Sequence, residues 1–262
     1  MARPLIALLT DFGLRDHYVG TMKGVMLGIC PEASLVDISH DVAPQDVLGA
    51  ALELASAYSY FPPGTIFLVV VDPGVGSTRR GIAVEAAGYR FVAPDNGVLS
   101  IVLNRSPFTC AVELTTAQYA RPTVSKTFEG RDRFGPAAAW LATGVEVTAL
   151  GWPVSSLVRL DVPLPRSTRA GIEGEVLRVD RFGNLITNID RATLGKLSGS
   201  VTAHVGSHVI PRIVNTYAEA KAGELCALVG SSDYLELAVN GGSAAAMLGQ
   251  GRGAMVRLRR SA

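Results

Sequence analysis

The chain has 262 residues, 48% of them hydrophobic, with Lys+Arg 24 against Asp+Glu 23 and a net charge of +1. That much apolar residue supports a full core and argues against disorder, while the balanced charge lacks the basic excess of a nucleic-acid binder. There is no run of 18 apolar residues to span a bilayer, no secretion-signal pattern at the N-terminus, and the three cysteines are too far apart for a disulfide framework or a zinc pattern, so a cytoplasmic globular protein is expected.

The first 150 residues alternate strand and helix signals. Residues 5–9 form a short apolar run ending in Thr10-Asp11, and 17–29 place Val19, Met22, Val25, Met26 and Ile29 at helical spacing until Pro31. A strand is expected over 35–38, a helix over 46–60 starting near Asp46, and a strand buried on both faces over 66–71. Strands at 82–85 and 90–93 follow, then an alanine-rich helix over 132–143 with Asp132 as its cap. This alternation predicts an α/β domain over 1–150 with a mostly parallel central sheet. Three prolines between Gly151 and Gly174 suggest a linker over 151–170. Short strand-like runs at 174–179, 185–189, 201–205, 225–229, 234–239 and 254–258 predict a smaller all-β barrel over 171–262.

The polar clusters fall where these strands end. Open parallel sheets bind ligands outside the carboxyl ends of their strands, and Asp11 in Thr10-Asp11-Phe12-Gly13 could accept two hydrogen bonds there, as from a ribose diol; an Asx turn is the plain alternative. In the stretch from Val71 to Arg80, Asp72 ends a buried strand, two glycines permit close approach, and Arg79 can fold back to pair with Asp72. No Gly-Lys-Ser/Thr follows, which excludes a phosphate loop. Pro94-Asp95-Asn96-Gly97 is a turn by composition, and Glu129 beside Gly130 could reach a pocket or be a solvated loop residue. Asp180, Phe182 and Asn184 put a carboxylate, an aromatic face and an amide within five residues, a set suited to a purine and an amine; a hairpin turn with Phe182 in the core is the alternative. His17, His40, His204 and His208 have no metal-ligand spacing.

In their order and spacing, Thr10 to Gly13, Val71 to Gly76, Pro94 to Gly97, Gly130-Arg131-Asp132, Phe182-Gly183-Asn184 and Tyr234-Leu235-Glu236 resemble the S-adenosylmethionine (SAM) hydroxide adenosyltransferases over essentially the whole chain. These adenosine-forming SAM hydrolases are relatives of the fluorinase and chlorinase. The resemblance implies an α/β domain followed by a β-barrel domain, and a homotrimer with its site between one subunit's N-terminal domain and the next subunit's C-terminal domain. It implies attack of water on the ribose 5′ carbon with methionine leaving, SAM as substrate, adenosine as product, and no cofactor or metal. By position, Asp11 is similar to the ribose-diol ligand, Asp16 and Asp180 to partners of the methionine amine, and Phe182 and Asn184 to the adenine contacts. Ser231, Glu236 and Val239 match further ligand positions, and Asp72 and Arg79 the first two members of an Asp–Arg–His set.

The halogenating relatives carry tyrosine where this chain has Asp72, and a carboxylate there would repel a halide, which favours hydroxide transfer. The third member of the set is Glu129 here instead of histidine. Glu129 could act as a second carboxylate base with Asp72, pair with Arg79 and leave Asp72 as sole base, or allow binding with poor turnover. The alternatives to a hydrolase are accordingly an adenosine- or SAM-binding protein and, third, a halogenase.

Overall fold

The computed structural model describes residues 3–197 and 199–260. It divides into two compact units, residues 1–161 and 162–262. Along the first unit run β1 (Leu5–Thr10), α1 (Tyr18–Ile29), β2 (Ser34–Ser39), α2 (Val47–Ala57), β3 (Ile66–Val70), β4 (Gly81–Ala86), β5 (Tyr89–Pro94), α3 (Ser100–Arg105), β6 (Phe108–Leu114), α4 (Gly135–Ala142) and β7 (Gly151–Pro153). The seven strands form one sheet in the order β2-β1-β3-β5-β4-β6-β7.

That sheet is mixed, which corrects the expectation of a mostly parallel one. β1 is parallel to β2 and β3, and β3 to β5. β4 is antiparallel to both β5 and β6, and β6 to β7. The cause is local: Ala87 and Gly88 both have positive φ, 55° and 80°, so β4 turns directly into β5 as a tight hairpin. A parallel return needs a crossover of a dozen or more residues, and no such length separates β4 from β5.

The parallel strands are buried on both faces. Ile6, Leu8, Leu68 and Val70 pack with Met22 and Met26 of α1 and with Phe134 and Ala138. Ala7, Leu9, Phe67 and Val69 alternate with them and are fully buried too. Phe67 stacks on Phe91 at 5.2 Å between ring centroids. Asp46 caps α2 by accepting from the Gly49 N–H at 3.0 Å.

The chain enters α4 through a π-helical turn, Gly130–Phe134, and Asp132 is not the cap predicted for this helix. Pro136 has no N–H to give the Asp132 carbonyl, which instead accepts from Arg121 N–H at 2.8 Å. The Asp132 side chain is fully buried; it accepts from Arg131 Nε at 2.7 Å and from the Ser125 N–H at 2.9 Å. Beyond β7 the chain stays bonded to the first unit: Val158 N–H donates to Asp95 and Leu160 N–H to Ser100 Oγ, each at 2.8 Å.

The second unit comprises β8 (Arg166–Thr168), β9 (Gly171–Val179), β10 (Leu185–Asp190), α5 (Arg191–Leu194), β11 (Val201–Val205), β12 (His208–Ile210), β13 (Ile213–Val214), β14 (Leu225–Val229), β15 (Tyr234–Val239), α6 (Ala244–Leu248) and β16 (Met255–Arg260). Its strands follow the order β12-β11-β16-β9-β10-β15-β14-β13, with β8 added alongside β9. The two ends of that path are consecutive in sequence, so the sheet curls nearly into a barrel around Ile172, Val176, Leu185, Leu235 and Leu258. Among the described residues, no helix is long and apolar enough to cross a membrane.

Candidate active site

The strand order makes a crevice. From β1 the chain passes through α1 to β2 on one side, then returns through α2 to β3 on the other side of β1. The carboxyl ends of β1 and β3 therefore flank a switch point. Thr10 pairs with Val70 across these strands, so the next residues, Asp11 and Val71-Asp72, leave the sheet at the same level. A cleft of about 370 Å³ opens there, lined by Asp11, Asp72, Glu129, Gln45, Tyr18 and Phe128, among others.

Successive turns bring Arg79 back onto Asp72: Val75 N–H donates to the Asp72 carbonyl at 3.2 Å and Ser77 N–H to that of Gly74 at 3.0 Å. Gly76 adopts φ +78°, and a Cβ there would lie 2.6 Å from the Lys126 carbonyl oxygen. Only glycine lets the 72–79 loop sit this close to the segment carrying Glu129. Arg79 Nε donates to Asp72 Oδ1 at 2.9 Å, and its Nη2 donates to Asp72 Oδ2 and to Glu129 Oε2. Its guanidinium carbon lies 5.1 Å from the centre of the Phe134 ring. The three side chains are 5–10% exposed, which excludes most water from the cluster. Burial works to lower the Arg79 pKa, but the hydrogen bonds to Asp72 and Glu129 outweigh it and raise the pKa above the ordinary value. Arg133 approaches the other Glu129 oxygen at 3.6 Å.

Of the three arrangements considered for Glu129, the structure has the pairing with Arg79. Each Asp72 oxygen accepts one bond from Arg79 and retains further acceptor capacity, and Asp72 lines the cleft. The Pro94 to Gly97 turn braces this arrangement. Asn96 Nδ2 donates to the Val71 carbonyl at 2.9 Å, and Asp95 pairs with Arg80, the neighbour of Arg79. Sequence reasoning had not connected that turn to the cleft. It also missed Gln45, whose N–H donates to Asp11 Oδ2 at 2.8 Å, and the aromatic group Phe12, Tyr18 and Phe128, in which Phe128 is edge-on to the other two. The helical spacing over 17–29 held the one available signal for Tyr18, an aromatic just ahead of the buried face. Asp16 is exposed ahead of α1 and is not among the residues lining the cleft.

In the second unit, Asp180 closes the β9–β10 turn. It accepts from Phe182 N–H at 2.9 Å, Asn184 N–H at 2.8 Å and Asn184 Nδ2 at 2.9 Å. The hairpin alternative thus describes the backbone, but Phe182 is 77% exposed and not in the core. Glu236 is buried on β15 and accepts from Tyr217 Oη at 3.0 Å. Burial first, and Asp180 nearby, raise its pKa above the usual carboxylate range despite the Tyr217 bond and Arg178; burial and Glu236 together push Tyr217 up to about 12. Ser231 lies in the exposed β14–β15 turn, and Val239 is packed in the barrel core.

The comparisons agree with this architecture along the chain. Residues 6–151 match the profile of the SAM hydroxide adenosyltransferase N-terminal domain and residues 174–257 that of its C-terminal domain. The (R)-S-adenosyl-L-methionine hydrolase of Thermus thermophilus is 40% identical, the alignment covering 97% of this chain and 98% of the relative. That of Salinispora tropica is 40% identical over 97% of each chain. A crystal structure of an uncharacterized conserved protein from Thermotoga maritima superposes with a TM-score of 0.93 at 36% identity, covering 97% of this chain and 100% of that one. With both domain profiles matched in order and two relatives this similar from end to end, the chain belongs to the SAM hydroxide adenosyltransferase family.

Proposed function

We propose that this chain hydrolyses S-adenosyl-L-methionine, as the R-sulfonium epimer, to adenosine and L-methionine. The observation that carries the reading is the buried Asp72–Arg79–Glu129 cluster on the cleft, level with Asp11 at the end of the neighbouring strand. The hydrolase names of the relatives support it.

A sulfonium is already an excellent leaving group, so the task of the protein is to align a poorly solvated water with the bond that breaks. In the proposed step the water oxygen bonds to C5′ as the C5′–S bond breaks, and its electron pair leaves on the sulfur of neutral methionine. The water proton passes to Asp72 and then to solvent. Arg79 fixes the carboxylate through two bonds. Glu129 shares that guanidinium and adds negative charge beside the cleft, which opposes a halide nucleophile. Three aromatic rings and three carboxylates also favour a cationic substrate. Asp11 is assigned to the ribose diol and Asp16 to the methionine amine; Phe182 and Asn184 are assigned to adenine, Asp180 to the amine, and Ser231, Glu236 and Val239 to further ligand contacts. No cofactor takes part in this scheme.

The proposed assembly is a homotrimer in which the second unit of one chain supplies its ligand residues, from Asp180 to Val239, to the cleft of another. The proposed location is the cytoplasm, a reading supported by the free state of all three cysteines.

The test is incubation of the purified protein with mixed sulfonium epimers, followed by chromatography with and without chloride. The expected products are adenosine and methionine in amounts indifferent to chloride, with the R epimer consumed and turnover lost in Asp72→Asn. Chloride-dependent 5′-chloro-5′-deoxyadenosine would establish a halogenase, and binding heat without products a binding protein.

A further inference from the structure

One buried polar chain beside Asp11 has no part in the proposed reaction. Thr10 is fully buried and His40 is 4% exposed, and the Thr10 hydroxyl lies 2.8 Å from His40 Nδ1. On the other side of the ring, Nε2 is 3.0 Å from Asp37 Oδ1, off the axis of an aligned hydrogen bond, and Asp37 Oδ2 accepts from Lys23 at 2.7 Å. A slip in strand register produces the arrangement. Leu8 pairs with Asp37 but Leu9 with Ser39, so His40 rather than Ser39 comes level with Thr10.

The same residues tie two loops together. The Thr10 hydroxyl accepts from the Phe12 N–H at 3.2 Å, and the His40 carbonyl accepts from the Gly13 N–H at 2.7 Å. Five residues further on, Gln45 donates its N–H to Asp11 at 2.8 Å from a left-handed backbone, φ 65°. That conformation is costly for a residue with a side chain, so it persists only where the surroundings hold it. With its Phe12 bond accepted, the Thr10 hydroxyl can donate to Nδ1, which leaves the ring proton on Nε2, facing Asp37. Carboxylate, imidazole and hydroxyl thus follow one another as in a hydrolytic triad, but the burial of Thr10 removes it from any substrate.

We propose that His40 is a positioning residue, which through Thr10 locks the 10–13 loop against the 40–46 loop and so fixes the carboxylate of Asp11 for the ribose diol. This rests on the reading of Asp11 as the diol ligand. A fixed Asp11 discriminates ribose from deoxyribose, because a substrate without the 2′-hydroxyl leaves a carboxylate lone pair unmatched.

The experiment measures, by calorimetry, the ratio of the Kd of 2′-deoxyadenosine to that of adenosine. Wild type and Asp11→Ala are compared with His40→Ala, Thr10→Val (the same shape without the hydroxyl) and Thr10→Ser (hydroxyl kept). Asp11→Ala is expected to abolish discrimination, His40→Ala and Thr10→Val to reduce it by about ten-fold, and Thr10→Ser to keep it within about two-fold of wild type. A role in stability alone would lower the melting temperature and leave the ratio intact. The inference is overturned if folded Thr10→Val and His40→Ala keep the wild-type ratio while Asp11→Ala loses it. If Asp11→Ala keeps the ratio too, the diol reading of Asp11 fails and takes this inference with it.

Discussion

Arg79 must satisfy Asp72 and Glu129 at once, and its planar fork can do so because Nε and Nη2 point to different oxygens. A lysine offers one point charge and cannot reproduce that geometry. Arg79→Lys is therefore expected to lower kcat by at least about 100-fold and to cost about 1–3 kcal/mol of stability, read by steady-state kinetics and urea unfolding. Glu129→His replaces a shared acceptor with a ring that leaves Arg79 to Asp72 alone; it is expected to preserve or raise the rate. A large loss of turnover without loss of binding in that variant would contradict the assignment of Asp72 as the base. Glu236 adds a pH dependence of its own. Its folded pKa lies above the unfolded value, so its contribution to stability is complete below about pH 4 and is lost as pH rises through the folded value. The melting temperature of Glu236→Gln should match wild type near pH 4 and exceed it increasingly toward neutral pH. At this scale the sequence was informative where partners are near in the chain. Asp72 and Arg79 are seven residues apart in a glycine loop, and their pairing follows from that spacing. Glu129 is fifty residues further from Arg79, and no local pattern says which loop will lie against which.

Secondary structure elements explain where the reading of the chain stopped short. The alanine-rich helix was legible from composition, but its entry was not. Pro136 frees the Asp132 carbonyl, Arg121 N–H takes it, and the chain widens into a π turn that starts directly after Glu129 and buries Asp132. Such turns recur at functional sites. Burial alone would raise the pKa of Asp132, but Arg131, the Ser125 N–H and Arg121 outweigh it and hold it below the ordinary value. Its stabilisation is present above about pH 4 and disappears as pH falls through the folded value. Asp132→Asn is expected to cost about 2–4 kcal/mol at pH 7, and the gap between variant and wild type should close in acid; denaturant titrations at both pH values check this. The β4–β5 hairpin is the opposite case, because its signal was present. Only four residues separate the predicted strands at 82–85 and 90–93, and Gly88 lies between them, which already forbids a parallel crossover.

On the scale of the whole molecule, the strand order β2-β1-β3 creates the cleft, and the loops around it deliver its chemical groups. Alternation of strands and helices predicted an α/β unit, and the placement of Asp11 and Asp72 at strand ends followed from it. The curled second sheet was legible from evenly spaced short strands, whereas β8, β12 and β13, of two or three residues each, are too short to carry a period-2 signal. If three chains assemble as proposed, sedimentation should report a species of three times the 27.5 kDa chain mass, and dilution that dissociates it should abolish turnover. The central claim is that water attacks the ribose 5′ carbon, and oxygen labelling reads this directly. Turnover of S-adenosylmethionine in water enriched with oxygen-18, followed by mass spectrometry, should give adenosine carrying one heavy oxygen and methionine carrying none. Label in the amino-acid product, or product formation without label in adenosine, would contradict the account.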